Sequence, residues 1–243
     1  MPLSGSSVSC RRYGECVPSD VNVVIPTKSN VDGLMNVLRD VLADSSVADI
    51  CVVVDGDDAN RLVPALPVAV HRIVVPLGSG IQHMWNRGMR AVGKNSHIAF
   101  LNDDVRLDPG CLSSLARSLD DDPTIGLICP NYADPPLLEN RDVFDTCRSR
   151  YDGTGGMAGF AMMLHRDLVP SWTFDENLRW WYGDDDIVRW VTRTSKRRAV
   201  ISSSARCHHL DSVTINNDPP SDFGRLIEND RAYFDAKWNG TGL

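Results

Sequence analysis

Two consecutive aspartates, Asp103 and Asp104, close the apolar segment FLNDDV and are the first residues whose chemistry stands out. Carboxylate oxygens are preferred ligands of Mg²⁺ and Mn²⁺, so a cation held there could bridge to a diphosphate. The alternative is a solvated turn, because Asn and Asp are ordinary turn residues. The six residues alone do not separate these two interpretations.

Two adjacent histidines, His208 and His209, lie in the segment CHHLDSVT. One imidazole could be a further ligand of the same cation, with a neighbouring group fixing its tautomer. The alternative is a surface histidine or a hydrogen-bonded core histidine. A zinc site that includes Cys207 is disfavoured, because no second Cys/His pair at ligand spacing accompanies it.

Three carboxylates, Asp184 to Asp186, follow the aromatic residues of WWYGDDDIVRW at the start of a predicted helix. A carboxylate beside Trp180 and Trp181 would be partly desolvated and could act as a general base. The alternative is helix capping, since Asp is preferred at helix N-termini. The tryptophans suit sugar rings as well as a core, so this segment also has two interpretations.

Lys28 and Asp55 follow the first two predicted strands. Asp55 could accept a hydrogen bond from a nucleotide base or ribose, and Lys28 could meet phosphate charge. A surface lysine and a turn aspartate are the alternatives. The later segment GSGIQHMWNRG is no dinucleotide-binding loop, because it lacks GxGxxG directly after the first strand.

The elements that would position these residues alternate between strand and helix up to about residue 130. Apolar runs predict strands at VNVVIP, ADICVVVD, VAVHRIVVP and HIAFLNDDV, and helical spacing predicts helices over 29–44, 79–92 and 108–119. This order predicts an α/β fold with a mixed, mainly parallel sheet flanked by helices. Ligands of such sheets bind beyond the carboxyl ends of the strands.

Beyond residue 130 the alternation of strands and helices gives way to glycine-rich and aromatic segments, which indicates a subdomain that contributes residues to a site. An amphipathic helix then closes the sequence, with an apolar side formed by Phe223, Leu226, Ile227, Phe234 and Trp238. We therefore expect one domain over residues 21–240, divided at about residue 130 into two halves, after an N-terminal arm over residues 1–20 that lacks periodicity.

Composition narrows the classes of partner. The 243 residues carry 25 Lys and Arg against 32 Asp and Glu, a formal net charge of −7, which disfavours a nucleic-acid partner. Seven cysteines without CxxC spacing favour reduced thiols, with Cys51 and Cys129 in the core. No apolar run reaches the ~18 residues that span a bilayer, so we expect a cytoplasmic protein.

Taken in order, these segments resemble the family-2 group of inverting GT-A glycosyltransferases over nearly the full length, from Val21 to Trp238. VVIPTKSN and VVVDGDD resemble the first two strands of the family, and GIQHMWNRG its G-x-x-x-A-x-N-x-G segment. FLNDDV resembles the DXD-type strand, GGMAGFAMMLHRD the acceptor-side glycine segment, and FDENLRWWYGDDDI the FDE…ED segment. CHHLDS resembles the late metal-binding histidine, and YFDAKWNG the terminal Y-x-x-K-W-G.

The resemblance implies a single GT-A domain with a nucleotide-sugar half (about 21–130) and an acceptor half (about 131–240). It implies that Asp104 binds Mn²⁺ or Mg²⁺ and that Asp103 lies near the ribose or the metal ion. His209 is the preferred second ligand, because it stands three residues before Ser212 as in the family's H-x-x-S form, with His208 in reserve. The other implied residues are Pro26, Thr27, Lys28, Asp55, Gly80 and Asn86 for the donor, and Gly156 and Trp181 for the acceptor.

Two departures from the family pattern matter. Asn102 stands at the first DXD position, as in members that read LNxDV, which include rhamnosyl- and galactofuranosyl-transferases. The family's catalytic base can be aligned with Asp184, Asp185 or Asp186. We favour Asp185 or Asp186, because Ile187 then begins the apolar face of the helix.

The hypothesis from sequence is a metal-dependent transfer of sugar from a nucleotide-diphosphate sugar to a hydroxyl of a glycan, a protein or a lipid-linked sugar, with inversion. One alternative is a nucleotidyltransferase, which normally carries a glycine-rich basic loop where this chain has PTKSN. The other is a non-catalytic module that binds a sugar or a nucleotide and needs no base.

Overall fold

The computed structural model describes residues 20–56, 66–143, 156–210 and 222–239. Nearly all of the predicted N-terminal arm lies outside these ranges, as do Asp57 and Asp58 of the VVVDGDD segment and Ser212 of the H-x-x-S segment. Within the described ranges, no helix combines the length and the apolar character that crossing a bilayer requires.

Strands and helices alternate in the first half of the chain, as predicted. They are β1 (Val21–Thr27), α1 (Val31–Leu42), β2 (Val47–Asp55), β3 (His71–Val75), α2 (Ile81–Ala91) and β4 (His97–Leu101). These strands pair in parallel, in the order β3-β2-β1-β4. Their carboxyl ends therefore meet at one edge of the sheet.

The second half extends the same sheet with mixed pairing. Its elements are β5 (Val105–Leu107), α3 (Cys111–Asp121), β6 (Ile125–Asn131), β7 (Arg141–Val143), β8 (Ala161–Leu164), a 3₁₀ helix (Arg166–Ser171), α4 (Gly183–Arg189), a π-helical turn (Trp190–Thr194), β9 (Arg198–His209) and α5 (Phe223–Asn239). β8 lies antiparallel between β4 and β6, and β9 pairs in parallel with β6 but antiparallel with β5 and β7. The predicted mixed α/β sheet flanked by helices is confirmed.

The core lies on both faces of the central strands. Every residue of β1, β4 and β6 is buried, which explains why these strands are continuous apolar runs in the sequence. Cys51 and Cys129 are buried as predicted, and burial raises the pKa of each thiol to about 12. Both thiols are therefore protonated and pack as small apolar groups.

Two local features set the edge where the sheet's carboxyl ends meet. The strand predicted over HIAFLNDDV ends at Leu101, and the next residue, Asn102, still donates its backbone N–H to the carbonyl of Phe160 at 2.8 Å. The acidic pair therefore lies in a turn before β5 and not within a strand. Gly88 of α2 packs against Val24 of β1, where a Cβ atom on residue 88 would overlap the valine side chain. The missing side chain therefore lets this helix approach the sheet closely.

Candidate active site

A cavity of about 510 Å³ opens at the carboxyl ends of β1, β2 and β4. It brings together three groups that are far apart in sequence: the ends of the first strands, the acidic turn and the WWYGDDD segment. Its lining includes the sequence-predicted residues Pro26, Thr27, Lys28, Asp55, Asp103, Asp104, Trp181 and His209.

Asp103 anchors the acidic turn to β1. Its Oδ2 accepts a hydrogen bond from Thr27 Oγ1 at 2.6 Å, and its backbone carbonyl accepts one from Asn30 Nδ2 at 3.1 Å. Asn30 also caps α1 by accepting from the N–H of Gly33. Burial, together with the neighbouring charge of Asp104, raises the pKa of Asp103 to about 7. The first strand, the first helix and the acidic turn thus form one rigid corner of the cavity.

Asp104 faces His209 across the cavity floor. Asp104 Oδ1 and His209 Nε2 are 3.2 Å apart but do not meet in hydrogen-bond geometry, and both atoms are buried. The imidazole stacks on Phe160, with ring centroids 4.2 Å apart and planes at 4°. His208 points to the other side of β9, where its Nε2 lies 3.2 Å from Asp108 Oδ1. Of the two histidines, only His209 lines the cavity.

The Asp104 and His209 pair fits a divalent cation. Two neighbouring ligands of an octahedral ion at about 2.1 Å lie about 3 Å apart, which is close to the observed separation. The described residues contain no group of three or more His, Cys, Asp or Glu side chains that could hold a metal ion. A site of two protein ligands suits Mg²⁺ or Mn²⁺ that takes its other ligands from phosphates and water.

Asp55 closes the β2 side of the cavity. It is 2% exposed, and its Oδ1 accepts a hydrogen bond from the N–H of Gly78 at 2.8 Å. Burial raises its pKa, while the N–H groups of Gly78 and Ser79 and the charges of Lys28 and Arg179 act in the opposite direction. A buried carboxylate fixed by backbone N–H groups is a rigid acceptor for a donor group on a ligand.

Asp184 is the carboxylate of the DDD run that lines the cavity. It lies directly against Gly159, where a Cβ atom would stand 2.6 Å from Asp184 Cγ and overlap the carboxylate. The turn at Gly159 and Phe160 therefore contacts two candidate site residues: Asp184 packs on the glycine, and His209 stacks on the phenylalanine.

Asp185 and Asp186, the two residues favoured from sequence, are not among the residues that line this cavity in the described part of the chain. Both are buried. Asp186 turns toward α5, where Lys237 Nζ donates to it at 2.9 Å and Trp238 Nε1 at 2.8 Å. Burial raises the pKa of Asp186, and Lys237 opposes this shift. Asp186 thus connects α4 to α5.

Three other residues implied by the resemblance stand just outside the cavity lining. Asn86 of α2 is buried and exchanges two hydrogen bonds of 2.9 Å with the backbone of Phe174, so it fixes the segment that leads to the cavity. Gly80 precedes α2 with φ 88°, and a Cβ there would press on the carbonyl of Arg179. Gly156 accepts a hydrogen bond from the hydroxyl of Tyr132, which does line the cavity.

Sequence reasoning missed two positions of the candidate site. Phe160 lines the cavity beside the expected residues and beside Trp180, which the sequence had already singled out, and Gly159 provides the space for Asp184. The glycine-rich segment GGMAGF was a signal for a close approach, but the partner of Gly159 is 25 positions away in sequence and has no local signature.

Comparison with known proteins agrees with this geometry. The family model described as "Glycosyl transferase family 2" matches residues 22–168, more than half of the chain. No curated protein matches the sequence. Among solved structures, the chain is similar to GalNAc-T7 crystallised with UDP, GalNAc and Mn²⁺, with 14% identity and a TM-score of 0.65 over 91% of this chain and 51% of that one.

It is also similar to TarS of S. aureus, with 12% identity in each of two structures. The TM-score is 0.57 for TarS 1-349, over 92% of this chain and 73% of that chain, and 0.59 for a longer TarS chain, over 90% and 44%. The chain thus spans about half the length of the GalNAc-T7 chain, and the TM-scores show a shared fold. Because the family model covers strands β1 to β8 and the acidic turn, the chain belongs to glycosyl transferase family 2.

Proposed function

We propose that this chain transfers a sugar from a nucleotide-diphosphate sugar to an acceptor hydroxyl, with inversion and with a divalent metal ion. The observation that carries the proposal is that one cavity holds both a pair of metal-ligand type, Asp104 and His209, and a separate buried carboxylate, Asp184. The first group suits a diphosphate and the second suits a hydroxyl, so the cavity has the parts for both substrates.

The donor side is formed by β1, β2 and the acidic turn. Asp55 accepts a hydrogen bond from the base or ribose, and Lys28 at the end of β1 faces the phosphates. Asp104 and His209 would hold Mg²⁺ or Mn²⁺, which supplies positive charge against the leaving diphosphate. The presence of UDP and Mn²⁺ in the GalNAc-T7 crystal makes these two the first probes to test.

Asp184 is the proposed general base, in place of Asp185 or Asp186. Its carboxylate takes the proton of the acceptor hydroxyl as the oxygen attacks the anomeric carbon. Attack comes from the face opposite the departing nucleotide diphosphate, so the configuration inverts. Trp180 and Trp181 line the cavity next to this carboxylate and offer aromatic faces for the CH groups of a sugar acceptor.

The test is diphosphate release from a panel of nucleotide sugars with Mn²⁺, with and without glycoside acceptors. UDP-galactofuranose and dTDP-rhamnose belong in the panel because of the LNxDV pattern. We expect nucleoside diphosphate as product and its loss in Asp104→Ala, with Asp108→Asn as the matched control. Pyrophosphate chemistry would indicate a nucleotidyltransferase instead, and binding without turnover would indicate a non-catalytic module. The cytoplasmic location remains a prediction from sequence.

A further inference from the structure

Trp180 and Trp181 form an aromatic wall of the cavity. A side chain of α5 that is not among the described residues of the cavity lining holds their backbone. Asp230 is 3% exposed, and its carboxylate accepts hydrogen bonds from three consecutive backbone N–H groups. Oδ1 accepts from Arg179 at 3.2 Å, and Oδ2 accepts from Trp180 at 2.8 Å and from Trp181 at 2.9 Å. One buried carboxylate therefore fixes the backbone of both tryptophans.

The opposite side of the same peptide segment is held by the donor half. The carbonyl of Arg179 accepts from the N–H of Ile81 at 2.9 Å, and the Arg179 guanidinium donates to the carbonyl of Gly78. Gly78 in turn donates to Asp55. The segment 179–181 is thus clamped between the donor pocket and α5.

The backbone that follows segment 179–181 links the position of this segment to the position of Asp184. Tyr182 has a left-handed backbone, with φ 64° and ψ 4°, and α4 begins at the next residue. This conformation is strained for a non-glycine residue, so its surroundings must hold it. Phe234 of α5 stacks on Tyr182 at 5.1 Å, and Phe223 meets Trp181 at 4.8 Å. Both aromatic contacts come from the helix that carries Asp230.

We propose that Asp230 is a positioning residue for acceptor binding, acting through the backbone of Trp180 and Trp181. The inference rests on the proposed function, because it assigns these two side chains to the acceptor. Asp230 itself is not among the cavity-lining residues that the structure describes, so it acts only through its three N–H partners. Charge-assisted hydrogen bonds to consecutive peptide groups are well suited to fix a loop.

The test compares Asp230→Asn with Glu228→Gln, which removes the same charge from an exposed position of the same helix. With 5-fluorotryptophan incorporated, Trp180→Phe and Trp181→Phe assign the two fluorine resonances. We expect Asp230→Asn to move both resonances and Glu228→Gln to move neither. In kinetics with p-nitrophenyl glycosides as acceptors, we expect Asp230→Asn to raise the acceptor KM at least tenfold and Glu228→Gln to leave it within about twofold.

Unchanged resonances, or an unchanged acceptor KM, would overturn the inference. Should Asp230→Asn not fold, Asp230→Glu keeps the charge and shifts the carboxylate by one methylene, and the same two readouts apply. The fluorine spectrum needs no turnover. If the wild-type enzyme releases no diphosphate, the proposed function fails while the spectrum still decides whether Asp230 positions the tryptophans.

Discussion

Gly159 and Asp184 are in direct contact: the carboxylate of Asp184 lies where the Cβ of any other residue at position 159 would be. The glycine comes from the turn before β8 and the aspartate from the first turn of α4. This contact places a buried carboxylate in the cavity beside the ring that supports His209.

We expect Gly159→Ala to displace Asp184 and lower kcat at least tenfold, because its Cβ overlaps the carboxylate. Gly224→Ala is the matched control, since a Cβ at position 224 of α5 meets nothing within 4 Å. The control should keep its activity. Initial rates of diphosphate release measure both variants, and equal rates would remove the link between the glycine and the base.

Substitutions of Asp184 and Asp186 should have different effects. Asp184→Asn should lower kcat by about 10² to 10⁴ with little change in stability, which is the usual contribution of a general base. Asp186→Asn should instead weaken its contacts with Lys237 and Trp238 and cost about 1–3 kcal/mol in the free energy of unfolding. Rates and urea denaturation of the two variants decide the assignment. An inactive but stable Asp186→Asn would move the base away from Asp184.

The two histidines offer a matched pair for the metal site. His209→Ala should weaken Mn²⁺ binding in the presence of UDP at least tenfold, because it removes one of the two proposed protein ligands. His208→Ala should leave binding unchanged, since His208 lies against Asp108 on the other side of the strand. Isothermal titration with Mn²⁺ and UDP measures this difference without turnover. Equal effects of the two variants would contradict the assignment.

Acid sensitivity should depend on His97, a fully buried residue of β4. Its Nδ1 accepts from the N–H of Arg166 at 3.1 Å, and its Nε2 lies 3.0 Å from Asp120. Burial lowers its pKa from 6.5 to about 4, which outweighs the opposing effect of Asp120; the charge of Arg166 and the neighbouring His165 lower it further. The imidazole therefore stays neutral in the fold down to about pH 4.

Between pH 6.5 and pH 4 the unfolded chain binds a proton at His97 that the folded chain does not. The contribution of His97 to the free energy of unfolding is therefore fully present above pH 6.5. It falls by roughly 3 kcal/mol in total as the pH drops to 4. His97→Gln, whose amide offers one acceptor and one donor, should flatten this part of the stability profile. Urea denaturation at several pH values measures it, and an identical slope in the variant would refute the role of His97.

Periodicity and order predicted much of this site. Parallel strands deliver their carboxyl ends to one edge, which is why Asp55 and Asp104 meet in one cavity although 49 positions separate them. His209 and His208 differ because side chains of a strand alternate between its faces, and β9 extends to His209. The first relationship follows from repeating geometry that the sequence displays, whereas the choice of His209 from the sequence rested on its resemblance to the H-x-x-S form.

Other relationships have no such pattern. Which acid of Asp184, Asp185 and Asp186 faces the cavity depends on where α4 begins, since each helical residue turns by about 100°. That start is set by the left-handed Tyr182, a conformation that tertiary contacts impose. Asp230 had no signal at all, because its three partners are backbone groups about 50 positions earlier.

The clamp on segment 179–181 has a consequence for biosynthesis. The sheet ends with β9, whereas Asp230, Lys237 and Trp238 belong to α5, which the ribosome makes afterwards. A nascent chain that already contains every described strand would still lack the helix that fixes the tryptophans and Asp186. We therefore expect the aromatic wall to be completed after the strands that form the rest of the cavity, and catalytic competence to arise late in synthesis, when α5 docks.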